Sequence, residues 1–169
     1  PIDQLAWVVD DLDASMTHWA ETLGVGPWFL IPHVAVEDFR VDGVPSPVDM
    51  SLAIAYSGRR QIELIQQHND APSMYKESLD AGRAGQHHIG FFRRDYDDRL
   101  NRALEAGYTV GQSGVLGGNV RFTYLRTESD PGTIAELVEL NDPIEAAFVA
   151  FHQASLEWDG NDPIRNAGT

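Results

Sequence analysis

The sequence predicts an α+β fold built from two copies of one β-α-β-β-β unit, and three features of the chain carry that expectation. Two stretches read as copies of each other. One opens IDQLAWVVDDLDASMTHWAETLG and closes RQIELIQQ; the other opens HHIGFFRRDYDDRLNRALEAGY and closes TIAELVEL. In each copy the apolar pattern changes from strand-like alternation to a helical repeat at the same place. Each copy also carries a carboxylate, Glu63 or Glu136, where a buried closing strand should be apolar. Polar residues at matched places in a duplicated unit point to a site built between the halves.

The elements follow in order. Residues 2–9 are apolar and β-favouring and end at Asp10-Asp11, the pattern of a strand. Leu12, Met16, Trp19, Ala20 and Leu23 then share one helical face, with Asp11 as N-cap and Gly24 as the stop. In the second copy HHIGFFRR is the strand and Asp95 takes the capping place. Tyr96, Leu100, Ala103 and Leu104 form the helical face, and Gly107 ends it. Further strands are expected over 28–36, 49–57 and 60–67, with a Pro-containing loop at 41–47. In the second copy 108–112, 120–126 and 133–140 play the same parts, with turns at 117–119 and 130–132. Residues 143–157 read as a closing helix with Pro143 in its first turn and Phe148, Phe151 and Leu156 on a partial apolar face. WDGNDPIRNAGT reads as a turn-rich tail. The expected layout is a single domain, 1–169, with module one at 2–68, a linker with a short helix at 69–85, module two at 86–141, and the helix and tail at 142–169.

Composition narrows the function. With 169 residues and 43% apolar content, the chain can bury a core and is not disordered. It has no cysteine, which excludes disulfides and thiolate metal sites. A net charge of −14 opposes non-specific nucleic-acid binding, which needs cationic side chains on phosphates, and is compatible with a cation or a cationic ligand. No apolar run approaches the ~20 residues that span a bilayer. No signal-peptide pattern stands at the N-terminus. The expectation is a cytoplasmic protein without nucleic-acid or membrane partners.

Strand alternation locates the candidate site. Gln4, Ala6 and Val8 share one face of the first strand; Leu5, Trp7 and Val9 share the other, which suits packing under a helix. In the second copy His88, Gly90 and Phe92 oppose Ile89 and Phe91, and His87 falls on the face away from His88. Each inner face thus begins with a polar ligand type, Gln4 or His88, followed by a very small residue, Ala6 or Gly90. Buried carboxylates at 63 and 136 must be protonated, ion-paired or metal-bound. Gln4, Glu63, His88 and Glu136 together suit a divalent ion such as Zn, Ni, Co, Mn or Mg, with one or two positions left for water or substrate. Tyr56 and Tyr124 stand one strand before the closing strands and read as core or cleft-lining aromatics. Trp7, Trp28, Phe29, Phe92 and Phe122 are further wall candidates; Arg59 and Arg93 are the first candidates for an anionic ligand group.

At these residues the chain resembles the vicinal oxygen chelate superfamily, which includes glyoxalases, bleomycin-resistance proteins and ring-cleaving dioxygenases. The resemblance spans almost all of 2–141 and rests on the opening IDQLAWVVDDL…W…LG, the IEL closing strand, HHIGF and AELVE. It looks most like the branch of methylmalonyl-CoA epimerase and glyoxalase I. It implies two βαβββ modules curling mixed sheets around a shared cleft, ligands on the first and last strands of each module, and a homodimer. The ligand positions carried over are Gln4, where many members have His, with Glu63, His88 and Glu136. Glu37 lies in a plausible region for a second acid/base group, and no motif fixes it.

The chemistry expected is that of a metal-dependent lyase, isomerase or epimerase acting on a small substrate. Its two adjacent oxygens would chelate the ion, and Glu136, with Glu63 able to share the role, would take the proton beside a polarised carbonyl. One alternative is a dioxygenase of the same fold, which would want two His and one carboxylate. Another is a non-catalytic protein that sequesters a small molecule such as an antibiotic.

Overall fold

The computed structural model describes residues 1–126 and 134–167. β1 (Gln4–Val8) leads into α1 (Leu12–Leu23), β2 (Trp28–Ile31), β3 (Val36–Val41), β4 (Val44–Pro45), β5 (Met50–Ser57) and β6 (Arg60–Gln67). α2 (Met74–Asp80) connects to β7 (Gly85–Arg93), α3 (Tyr96–Glu105), β8 (Thr109–Leu116), β9 (Val120–Arg126) and β10 (Ala135–Glu139). α4 (Asp142–Leu156) and β11 (Ile164–Asn166) follow. The strands form one curled, unclosed mixed sheet in the order β11-β2-β5-β6-β1-β7-β10-β9-β8-β3-β4.

The two halves meet along β1 and β7, which run antiparallel. Each first strand lies parallel to the closing strand of its own half, β1 with β6 and β7 with β10. The four central strands, β6-β1-β7-β10, are therefore the first and last strands of the two copies. Gly90 sits opposite Gln4 on this seam. A Cβ at 90 would lie 2.6 Å from Gln4 Oε1 and 2.9 Å from Gln4 Cβ, closer than any side chain tolerates. The small residue read beside the polar group is thus a packing requirement.

Alternation sorts the apolar residues into three clusters. Leu12, Met16 and Ala20 of α1 pack on Trp28, Ile62 and Leu64 behind the first half. Tyr96, Leu100 and Ala103 of α3 pack on Phe91, Leu125 and Leu137 behind the second. The largest cluster fills the inner face with Val8, Leu52, Ile65, Phe122, Tyr124 and Val138, and Met74 and Tyr75 of α2 are buried in it. Burying each of those two α2 side chains stabilises by about 1.5–3 kcal/mol. The connecting stretch thus holds the expected short helix, and that helix is also part of the core.

Several other expectations are corrected. The strand expected over 28–36 ends at Ile31 as β2, and β3 begins only at Val36; β2 pairs with β5, whereas β3 pairs with β8 of the other half. The loop expected at 41–47 contains a hairpin of β3 and β4 instead, turned at Asp42-Gly43 with both φ values positive. The tail is not all turn, since β11 pairs with β2 and the Trp158 ring packs against Gly26. Asp11 caps α1 through Ala14 N–H at 2.8 Å, but Asp95 makes no capping bond and instead accepts from Arg99 at 2.9 Å. Leu23, Leu104 and Leu156, placed on apolar helix faces, stand exposed. The turn at 130–132 and Thr133 lie outside the described residues. No described helix is long and apolar enough to cross a membrane.

The seam generates one prediction. Gly90→Ala is expected to lower unfolding free energy by about 1–3 kcal/mol in urea titration, because overpacking strains a closely fitted interior.

Candidate metal centre

Register brings the candidate residues to one point. Ala6 pairs on one side with Glu63 and on the other with His88. Gly90 pairs on one side with Gln4 and on the other with Glu136. The relation is a pseudo-two-fold: in each half the closing carboxylate lies opposite the small residue that follows the first-strand polar residue. Gln4, Glu63, His88 and Glu136 are only 3%, 7%, 2% and 5% exposed. His88 Nε2 lies 3.3 Å from Gln4 Oε1, 3.2 Å from Glu136 Oε2 and 3.6 Å from Glu63 Oε2.

Hydrogen bonds behind the centre orient two of these groups. Gln4 Nε2 donates to Gln61 Oε1 at 2.7 Å, and Gln61 Nε2 donates to the Tyr56 hydroxyl at 3.0 Å. This turns the carbonyl oxygen of Gln4 inward. His88 Nδ1 faces His87 Nδ1 at 3.0 Å, which turns Nε2 of His88 inward. Tyr124 lies opposite Glu136 across β9 and β10, and its hydroxyl meets that of Tyr75 at 2.8 Å.

Electrostatics sharpen the picture. Burial pushes the Glu63 carboxyl well above the carboxylate range, and the neighbouring Glu136 pushes it further. Burial likewise raises Glu136, with a hydrogen bond from Tyr124 drawing it part of the way back. Burial holds His88 down to about 3. The close contacts between His88 and the two carboxylates are therefore not imidazolium ion pairs. The centre presents an imidazole nitrogen, an amide oxygen and two carboxyl groups, all acceptors unless a carboxyl holds a proton.

This donor set fits a divalent cation. Two ligands about 2.1 Å from one ion lie about 3.0–4.2 Å apart in tetrahedral or octahedral geometry. One ligand atom each from Glu63, His88 and Glu136 lie within 4.8 Å of one another. Two carboxylates balance the charge of a divalent ion, and the mixed N/O set matches Zn, Ni, Co or Mn better than a soft ion. Gln4, Glu63, His88 and Glu136 would hold it.

Other residues singled out in the sequence lie elsewhere. Glu37 is exposed on β3. Arg59 is exposed in the β5–β6 turn, and Arg93 is tied to Asp3 at 2.7 Å. Trp7 and Trp28 pack behind the sheet with α1, whereas Phe92, Phe122 and Tyr124 pack in the inner-face cluster. Tyr56 and Tyr124 are not equivalent: Tyr124 pairs with Glu136, but Tyr56 pairs with Gln61. α4 reaches the inner face through Phe92–Phe148, Phe29–Phe151 and Tyr56–His152 contacts, with ring centroids 4.8, 4.0 and 5.0 Å apart.

His87 is the main correction. Alternation puts it on the face away from His88, but the β1–β7 register shifts between Ala6 and Trp7. The bulge carries His87 into the core between Tyr75 and Tyr124. Gln61 and Tyr75 also went unread; neither carries a motif, and their place behind the centre follows from pairing and from the docking of α2.

Known proteins place the chain in a family. The family model described as the Glyoxalase/Bleomycin resistance protein/Dioxygenase superfamily matches residues 3–124. No curated protein matches the sequence. Among solved structures, hypothetical protein BH1468 from Bacillus halodurans C-125 is similar at TM-score 0.63 and 17% identity, over 84% of this chain and 95% of that one. Methylmalonyl-CoA epimerase from Mycobacterium tuberculosis is similar at TM-score 0.62 and 21% identity, over 86% and 91%. A variant of Streptomyces coelicolor methylmalonyl-CoA epimerase, in complex with 2-nitronate-propionyl-CoA, is similar at 0.54 and 22%, over 83% and 94%. At these identities the likeness is one of fold. With its paired modules, its curled sheet and a family match over most of its length, the chain belongs to the glyoxalase/bleomycin-resistance/dioxygenase superfamily.

Proposed function

We propose that this protein is a metal-dependent isomerase or lyase that moves a proton on the carbon beside a carbonyl of a small substrate. One observation carries the reading: four buried acceptor groups from both halves of the chain converge on one point. Gln4, Glu63, His88 and Glu136 hold the ion. A divalent ion there supplies Lewis-acid polarisation of the substrate carbonyl. Glu136 takes the proton from carbon. A carboxylate held beside a polarised carbonyl is within reach of the proton on the neighbouring carbon. Glu63, its counterpart in the other half, returns or shares the proton. The epimerases among the structural neighbours support this class of reaction. Dioxygenase chemistry is disfavoured, because the second histidine near the centre turns its Nε2 to the Met74 carbonyl.

Three outcomes test this. The wild-type protein is expected to bind one Zn²⁺ or Co²⁺ per chain in calorimetry, with Glu136→Gln weakening binding by roughly 100-fold or more. A wild-type protein that binds no divalent ion while capturing an organic ligand would establish the sequestering alternative.

Affinity is also expected to depend on pH. Both carboxyl groups hold protons above the usual carboxylate range, so metal entry must release protons. Zn²⁺ affinity therefore rises with pH well above about pH 5.5, where exposed carboxylates are already ionised. Stability of the metal-free protein moves the other way. A carboxyl that binds its proton more tightly folded than unfolded contributes less as pH rises, so the melting temperature falls as the pair ionises and metal restores it. A flat affinity across that range contradicts the buried-pair account.

For catalysis, methylmalonyl-CoA is the first probe. In D₂O the metal-loaded protein is expected to exchange the hydrogen on the carbon beside the thioester, and Glu136→Gln to slow exchange by about 10²–10⁴-fold. Exchange that is unchanged in Glu136→Gln removes Glu136 as the base.

A further inference from the structure

His87 is a buried titratable side chain that the proposed reaction leaves unused. We infer that His87 is a positioning residue that fixes which ring nitrogen of His88 faces the centre; this rests on the metal-site reading above. The chain of constraints starts at Met74, at the first turn of α2, whose carbonyl oxygen can only accept. His87 Nε2 lies 3.1 Å from that oxygen, so it carries the hydrogen and donates. A neutral imidazole has one N–H, which leaves His87 Nδ1 as a lone pair. That lone pair stands 3.0 Å from His88 Nδ1, so His88 must carry its hydrogen there and donate. Nε2 of His88 is then the nitrogen turned to Gln4, Glu63 and Glu136.

Each alternative arrangement costs a contact. The opposite tautomer of neutral His88 can donate to Gln4 Oε1 at 3.3 Å, but it sets two lone pairs against each other at 3.0 Å and aims an N–H at the place of the ion. A doubly protonated His87 sets two N–H groups against each other there. Neither ring can turn away easily. The His87 ring lies 5.3 Å from that of Tyr75 and 5.8 Å from that of Tyr124, and the His88 ring lies 4.6 Å from that of Tyr124. A histidine that binds a metal through one nitrogen ordinarily donates its other N–H to an acceptor that fixes its orientation. Here that acceptor is a second histidine, brought inward by the strand bulge and set in turn by an α2 carbonyl. α2 thereby couples to the centre through two hydrogen bonds, although neither His87 nor Met74 reaches the ion.

The test uses ¹⁵N-labelled metal-free protein and two variants. Long-range ¹H–¹⁵N spectra of the wild type are expected to show His88 protonated on Nδ1. His87→Asn keeps an acceptor oxygen near the position of Nδ1, whereas His87→Phe keeps an aromatic ring and removes the acceptor. His87→Phe is expected to lose the Nδ1 preference of His88 and to weaken Zn²⁺ affinity by about 10–100-fold, measured against a chromophoric chelator. His87→Asn is expected to restore most of both. Circular dichroism and melting of each variant in chelator report the fold separately from the centre. His88 found protonated on Nε2 with a bare Nδ1 in the wild type overturns the inference, as does unchanged affinity in a folded His87→Phe. If His87→Phe does not fold, the wild-type spectrum decides alone. If the wild type binds no metal, the metal-site reading fails, while the ring spectrum still decides the role of His87.

Discussion

The structure turns on a concentration of acceptors in a buried place. His88 Nε2, Gln4 Oε1 and the carboxyl groups of Glu63 and Glu136 lie a few ångströms apart, nearly sealed from solvent. Burial disfavours every charged form there, raising the carboxyl groups and lowering the imidazole. A proton on the carboxyl pair relieves part of the mutual repulsion. A divalent cation held by Gln4, Glu63, His88 and Glu136 would relieve more, because it would supply the charge that two carboxylates need.

The duplicated architecture makes such a point almost unavoidable. Two first strands running antiparallel at the centre of one sheet put their matched residues on the same face across the seam. Parallel pairing of each closing strand adds a carboxylate two positions further along. Glycine at 90 makes room for the Gln4 side chain across the seam. The outer faces are covered by α1 and α3, while the largest apolar cluster shares the inner face with the four polar groups. α4 lies over part of the inner side, stacking on Phe29 and Phe92.

Much of this was legible in the sequence for a physical reason. A repeat fixes equivalent strands without knowledge of pairing, and strand alternation assigns faces. The convergence of Gln4, Glu63, His88 and Glu136 needed only those two facts. What escaped depended on departures from regular alternation or on distant pairing. One bulge moved His87 from the outer side to the core. The stretch from 28 to 45 reads as strand and loop locally, yet it divides between opposite ends of the sheet because β3 finds its partner in β8. The Asp42-Gly43 pair is a hairpin signal, but the prolines that follow it give the stretch the local pattern of a loop. Residues 69–85 look polar on average, and the buried pair Met74 and Tyr75 carries the segment's contribution to the core.

The most direct measurement is anomalous diffraction from crystals grown with Co²⁺. The account predicts one strong peak between the two halves, about 2.0–2.2 Å from Gln4 Oε1, His88 Nε2 and one oxygen each of Glu63 and Glu136. A peak elsewhere, such as at the exposed His33 and Asp49 pair, with those four groups ligating nothing, would contradict it.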